Sequence, residues 1–176
     1  TWRHLKYINL EENNIDDWEE IQEFRKLDKM KKLGLGVNQI THVKYRPGFP
    51  QLMTVDLYEN LIDNWESIDQ LNEYKELRRL RISDNPLTSS ETKDKIRQQI
   101  MARIQYLQYY GGSKILEREK ADCEFYYIKQ CYREFWEQNG GIEKGQVSSL
   151  EDDKLTQYMM KLHPRFYELV EKNMYC

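Results

Sequence analysis

Cysteine is scarce in this chain: Cys123, Cys131 and Cys176 are the only three among 176 residues, an odd number with no C-x-x-C pair. Such a set offers neither a disulfide framework nor a zinc knuckle. If the segment holding the first two is helical, they stand about two turns apart, too far for an S–S bond. A reducing, cytosolic setting is therefore expected. The eight glycines never form G-x-G-x-x-G or G-x-x-x-x-G-K, and Gly34 and Gly36 supply only the opening of the first; H-E-x-x-H and G-x-S-x-G are also missing. His4, His42 and His163 are too dispersed to suggest a metal site, and His42 reads as a surface residue on a turn. The adjacent carboxylates Glu11-Glu12, Asp16-Asp17 and Asp152-Asp153 read as solvated charge near turns and helix starts. Neither a catalytic site, a metal nor a cofactor is expected. No apolar run approaches the roughly 18 residues that a spanning helix needs, and no leader pattern is recognisable, so no membrane association is expected. Nor is there an excess of one charge: the formal net is −3 with both signs interspersed. That balance argues against nucleic acid as a partner.

What is present is a repeat. Leu5, Ile8, Leu10, Asn13 and Ile15 fit L-x-x-L-x-L-x-x-N-x-L. So do Met30, Leu33, Leu35, Asn38 and Ile40; then Leu52, Val55, Leu57, Asn60 and Ile62; then Leu77, Leu80, Ile82, Asn85 and Leu87. The starts lie 25, 22 and 25 residues apart, within the period of a leucine-rich-repeat solenoid. Alternation makes each unit a short strand with one face inward. A sharp turn must follow every strand, leaving backbone groups aimed inward that cannot stay unpaired. An amide side chain both donates and accepts, so Asn13, Asn38, Asn60 and Asn85 are expected to form a ladder between successive turns.

The return segments carry a second pattern. Ile15, Trp18, Ile21, Phe24, Leu27 and Met30 recur every third residue, as do Ile62, Trp65, Ile68, Leu71, Tyr74 and Leu77; this spacing suits 3₁₀-like turns or a short helix. Trp18 and Trp65 occupy equivalent places and are both expected in the core. In the second repeat, Tyr45-Arg46-Pro47-Gly48 between Val43 and Phe49 predicts an irregular return. The thin, one-sided core of a solenoid also accounts for a charged fraction of 32%. No cap precedes Leu5, which suggests a piece of a longer protein.

Beyond Leu87 the pattern becomes helical. Thr88-Ser-Ser-Glu91 reads as a capping box opening a helix with Ile96, Ile100, Ile104 and Leu107 on one side. A truncated fifth strand is expected over Ile104–Tyr109, starting 27 residues after Leu77 and broken by Gly111-Gly112. Ala121, Phe125, Ile128, Tyr132 and Phe135 predict an amphipathic helix from Leu116 to about Gln138, ended by Gly140-Gly141. The polar stretch Glu143–Ser149 reads as a flexible loop. A further helix carries Leu155, Met159 and Leu162, and His163-Pro164 kinks it or opens a last one through Phe166, Leu169 and Val170. The fold class expected is thus α/β: a solenoid over residues 1–110 with a short parallel concave sheet, then a helical extension over 111–176.

If these strands form, the outward positions are Tyr7, Asn9 and Glu11; Lys32, Gly34 and Gly36; Thr54, Asp56 and Tyr58; Arg79, Arg81 and Ser83. Tyrosine and arginine combine large contact area with polar reach, as protein interfaces favour. This concave face is the expected partner site, acidic at its first repeat and basic at its last.

Several stretches carry a resemblance to a known family: Asn64-Trp-Glu-Ser-Ile-Asp-Gln-Leu-Asn72, the fourth repeat Leu77–Leu87, Ile100-Met-Ala-Arg-Ile104, Ile115-Leu-Glu-Arg-Glu119 and Leu162-His-Pro-Arg-Phe166. Together they resemble the tubulin-folding cofactor E family over most of the chain. That resemblance implies a cytosolic, cytoskeleton-associated chaperone without enzymatic activity. It would hold α-tubulin and, with other tubulin-folding cofactors, assemble or take apart the α/β-tubulin heterodimer. The family's CAP-Gly and ubiquitin-like domains have no counterpart in these residues, and Tyr109-Tyr110-Gly111-Gly112 departs from the leucine-asparagine turn expected there. The competing reading is a generic cytosolic or nuclear interaction scaffold of spliceosomal, phosphatase-regulatory or axonemal type. A third takes Arg78, Arg79 and Arg81 with nearby tyrosines as an RNA face.

Overall fold

Three alternating residues are all that each repeat commits to the sheet. The structure, a computed structural model, describes residue 2, residues 4–139 and residues 149–174. The four patterns form β1 (Tyr7–Asn9), β2 (Lys32–Gly34), β3 (Thr54–Asp56) and β4 (Arg79–Arg81). All pair in parallel and in register, so that Ile8, Leu33, Val55 and Leu80 align and point inward. Leu35, Leu57 and Ile82 lie beneath them, fully buried, with Met30, Leu52 and Leu77 before them. This is the α/β leucine-rich-repeat solenoid that the pattern predicts.

The sharp turn after each strand has a common device. The residue before each asparagine, namely Glu12, Val37, Glu59 and Asp84, sits in the left-handed region with φ of 59°, 54°, 48° and 59°. Val37 is the costly one, because a β-branched side chain crowds its own carbonyl there. The next residue then swings its amide under the turn.

Return segments follow the third-residue spacing. In the first repeat α1 (Glu19–Gln22) continues into a 3₁₀ turn, Glu23–Lys26. The second repeat has no helix, and Val43 and Phe49 pin an irregular return to the core. In the third, α2 (Trp65–Leu71) starts where the Asn64 side chain accepts a hydrogen bond from the Ser67 amide. Trp18 is 2% exposed, but Trp65 is only half-buried, contrary to their expected equivalence. Trp18 precedes its helix and turns into the core, whereas Trp65 is the first residue inside its own helix and lies on its rim.

Two more expectations shift in the fourth repeat. The capping box is Asn85 with Thr88, opening α3 (Pro86–Ser89), and not Thr88 with Glu91. Pro86 explains this, since a first-turn proline needs its cap directly before it. The longer helix α4 (Lys93–Arg103) follows, and the chain then enters β5 (Tyr109–Tyr110). This fifth strand exists, but three residues later than predicted: Tyr109 pairs with Arg79 and Tyr110 with Leu80. Leu107 therefore takes the place of Leu77, and its amide donates to the Ile104 carbonyl as that of Leu77 does to Tyr74. Gly111 and Gly112, at φ +57° and +86°, do not end the sheet but fold a two-residue hairpin into β6 (Ser113–Lys114), antiparallel to β5.

The helix α5 (Glu117–Gln138) buries a different stripe from the one predicted. Cys123, Glu124, Tyr127, Cys131 and Phe135 face inward, while Ala121, Phe125 and Tyr132 are exposed. Two polar contacts set this rotation. The Lys120 ammonium caps the carbonyls of Ile104, Gln105 and Leu107 past the end of α4. Glu124, with no exposed surface, pairs with Lys172. The extension closes with α6 (Ser149–Leu162) and α7 (Phe166–Met174). Leu162, expected inside, is exposed. Ala102 of α4 joins Tyr127, Cys131, Phe135, Met159, Phe166 and Leu169 in a second core cluster. The helix stop at Gly140-Gly141 and the loop from Glu143 lie outside the described residues, although Ser149 itself opens α6.

Candidate concave interaction face and its supporting junction

The predicted outward residues do share one face, arranged as rows across the strands. Pairing places Tyr7, Lys32, Thr54, Arg79 and Tyr109 side by side on five consecutive strands. The Lys32 ammonium lies 4.8 Å from the centroid of the Tyr7 ring, and the Arg79 guanidinium 3.8 Å from that of Tyr109. Stacking of this kind is worth about 0.5–1 kcal/mol at an exposed site and holds the cation in place.

The next row is Asn9, Gly34, Asp56 and Arg81. Here the polar groups are already engaged. Asn9 accepts from the Glu11 amide at 3.0 Å and lies over Gly34. Asp56 accepts from the Tyr58 amide and pairs with Arg81 at 3.4 Å. Arg81 stacks on Tyr58 at 3.7 Å. Beyond the strands come Glu11, Gly36, Tyr58 and Ser83. Gly36 lets the Tyr58 ring lie flat on the backbone, because a Cβ there would meet the ring at 2.1 Å. Desolvation first, and the Glu11 carboxylate second, hold the Tyr58 phenol above its ordinary range. Arg78 does not belong to this face: it reaches the Lys75 and Leu77 carbonyls, pairs with Glu76 and lies over Tyr106. The RNA-face reading thereby loses one of its three arginines.

Beneath the face, three of the four asparagines bridge turns. Asn38 donates to the carbonyls of Leu10, Leu35 and Gly36 and accepts from the amides of Asn13 and Ile15. Asn60 donates to Leu35, Leu57 and Tyr58 and accepts from Ile40. Asn85 donates to Leu57, Ile82 and Ser83 and accepts from Ile62. Asn13 differs: its exposed side chain donates only to the Glu11 carbonyl, because among the described residues no earlier turn lies beside it.

A second polar cluster, unforeseen from spacing or periodicity, joins solenoid to extension. Arg103 is 4% exposed, donates through its Nη1 to both oxygens of Asp69 at 2.9 and 2.7 Å, and lies 5.0 and 5.3 Å from the centroids of the Trp65 and Tyr127 rings. Its other nitrogen approaches His163 Nδ1 at 3.5 Å. The Tyr127 hydroxyl meets that same Nδ1 at 2.9 Å; with a guanidinium also facing it, Nδ1 accepts and the ring proton resides on Nε2. Burial, aided by the Arg103 charge, pushes the His163 pKa down to about 4, so the ring is neutral. Arg165 donates to the Ala102 carbonyl and forks onto Glu168. The available signal was the Ala102-Arg103-Ile104 and His163-Pro-Arg165 motifs, whose residues meet here across 60 positions of sequence. At this junction they connect α2, α4 and α5 with the segment between α6 and α7.

No group of three or more candidate metal ligands occurs among the described residues, and no described helix is long and apolar enough to cross a membrane. Cys123 and Cys131 are free thiols whose pKa values burial raises to about 11 and about 12, so both are protonated at neutral pH.

Comparison with known proteins gives a consistent picture. A family model described as leucine-rich repeat matches residues 3–134. Tubulin-folding cofactor E of Arabidopsis thaliana is 29% identical over 176 residues, covering 94% of this chain but only 30% of that protein's length. Among solved structures, the Drosophila melanogaster SNF/U2A' complex matches with a TM-score of 0.57 at 16% identity, over 88% of this chain and 76% of that one. The latter is a likeness of fold alone.

Proposed function

The chain belongs to the leucine-rich-repeat family, and from that premise we propose that it is a tubulin-folding module. It binds α-tubulin on its concave sheet and, with other tubulin-folding cofactors, supports assembly or disassembly of the α/β-tubulin heterodimer in the cytoplasm, in association with the cytoskeleton. The observation carrying this reading is that the likeness to tubulin-folding cofactor E spans 94% of the chain, and so extends past the repeats into the helical half. The repeat pattern alone is shared by many solenoids; the Arg103, His163 and Arg165 motifs are not part of it. Their convergence at one buried junction explains why solenoid and extension would be retained together. The concave face supports the same reading, since its β4 side presents cations toward a partner that is acidic. The module works by shape and charge complementarity, with no reaction step, cofactor or metal assigned to it.

Titration of this chain with purified α/β-tubulin at physiological salt tests the proposal. Saturable binding that weakens on Arg79→Glu, with circular dichroism unchanged, is expected. Absence of binding to tubulin would overturn it and leave the interaction-scaffold reading, in which the same face serves a different protein.

A further inference from the structure

We infer that the outermost concave row is a seat for the carboxylate side chains of an acidic partner segment, entered between Lys32 and Arg79 with the Thr54 hydroxyl at its floor. This rests on reading the concave face as the partner surface, and it adds the chemistry of the contact and the residues that make it.

The row is symmetrical about its centre: aromatic, cation, hydroxyl, cation, aromatic, from Tyr7 through Lys32, Thr54 and Arg79 to Tyr109. Neighbouring strands lie about 4.8 Å apart, so the two cations rise from backbones roughly 10 Å apart with one strand between them. Each leans outward onto its own tyrosine, at 4.8 and 3.8 Å. The central strand is thereby left open as a depression of about 170 Å³, lined by Lys32, Thr54, Asp56, Arg79, Arg81 and Tyr109 among others.

Charge decides what fits. Asp56 is matched by Arg81, which is also stacked on Tyr58. Lys32 and Arg79 have no carboxylate within 4 Å among the described residues, so two positive charges remain for an incoming group. Thr54 adds a donor between them. A glutamate or aspartate side chain matches one cation and the hydroxyl, and a second acidic residue in an extended segment reaches the other cation. A nucleic-acid backbone would need a longer run of cations than two. Because the tyrosines already restrict both cations, little side-chain freedom is lost on binding.

The test titrates a short glutamate-only peptide and intact α/β-tubulin, in parallel, against wild type, Lys32→Gln, Arg79→Gln, the double variant and Arg78→Gln. At about 0.15 M salt each single row variant is expected to weaken peptide binding about fivefold, the double variant about twenty-five-fold, and Arg78→Gln, off this face, less than twofold. Thr54→Val, nearly isosteric, should weaken it about twofold. All altered side chains are at least partly exposed, so unchanged melting curves check the fold. A double variant that holds the peptide as tightly as wild type overturns the seat, as does an Arg78→Gln loss equal to that of Arg79→Gln. Peptide binding with the expected dependence but no tubulin binding upholds the seat and sinks the tubulin reading. Tubulin binding unaffected by the double variant does the reverse, and binding of neither ligand overturns both.

Discussion

Replacing the ladder asparagines by leucine one at a time should produce an unequal series in which the central member is not the most costly. Asn85→Leu leaves the buried Ile62 amide and Ile82 carbonyl without another partner among the described residues. At roughly 1–3 kcal/mol for each of the two buried orphans, the loss should be about 3–5 kcal/mol. Asn38→Leu strands the buried Ile15 amide, together with the Asn13 amide and Leu10 carbonyl, which water can reach in part. Its other two carbonyls keep a donor, Leu35 from Asn60 and Gly36 from the Glu12 amide, so about 2–4 kcal/mol is expected. Asn60→Leu strands only the Ile40 amide, since Leu35 keeps Asn38, Leu57 keeps Asn85 and Tyr58 keeps the Val37 amide. That variant should lose about 1–3 kcal/mol. Asn13→Leu, at an exposed position, should stay within about 0.5 kcal/mol. Urea titrations followed by circular dichroism, fitted with a common slope, measure all four. An Asn60→Leu loss as large as that of Asn85→Leu, or four equal losses, would refute the shared-carbonyl accounting.

Trp18→Ala should cost about 3–5 kcal/mol as a buried large-to-small change, and Trp65→Ala less, about 1–3, because its ring packs on the core but is only partly buried; equal losses on thermal melting would contradict the assigned positions. His163 has a folded pKa of about 4, below the roughly 6.5 of an unfolded chain, so the unfolded state takes up a proton first. Its stabilising contribution is complete above about pH 6.5 and is lost as pH falls toward 4; relative to His163→Gln, wild type should lose about 2 kcal/mol over that interval. A flat difference between the two would show that the ring is not buried neutral. Gly36→Ala should displace the Tyr58 ring and cost about 1–3 kcal/mol, with a change in near-ultraviolet circular dichroism; an unchanged spectrum would mean that the ring does not rest on that backbone.

The strand centres and the asparagine spacing were legible because each obeys one local rule, alternation or turn closure. The fifth strand was misplaced by three residues for a related reason. Apolar residues recur every third position in the return run, so Ile104 and Leu107 satisfy the same template, and only pairing with Arg79 and Leu80 decides between them. The face of α5 was misjudged because hydrophobicity favoured Phe125 and Tyr132, whereas the buried positions went to Glu124 and its neighbours, whose partners lie on distant elements. Alternation likewise identified which side chains leave the concave side. It could not distinguish Arg81, occupied by Asp56 and Tyr58, from Arg79, because that depends on side chains 25 residues away.

The reversal at Gly111-Gly112 bears on how such a chain can change in length over generations. A parallel array grows by translation, and a duplicated unit can be spliced between existing ones because every strand offers its neighbour the same unpaired edge. The last strand among the described residues runs the opposite way, is two residues long and ends in Lys114. A copy placed after it would find no matching edge and a charged side chain in its path. Units can therefore be gained or lost among the first four, whose starts already tolerate a 22-residue spacing beside 25, while the fifth acts as a stop codon does for a reading frame.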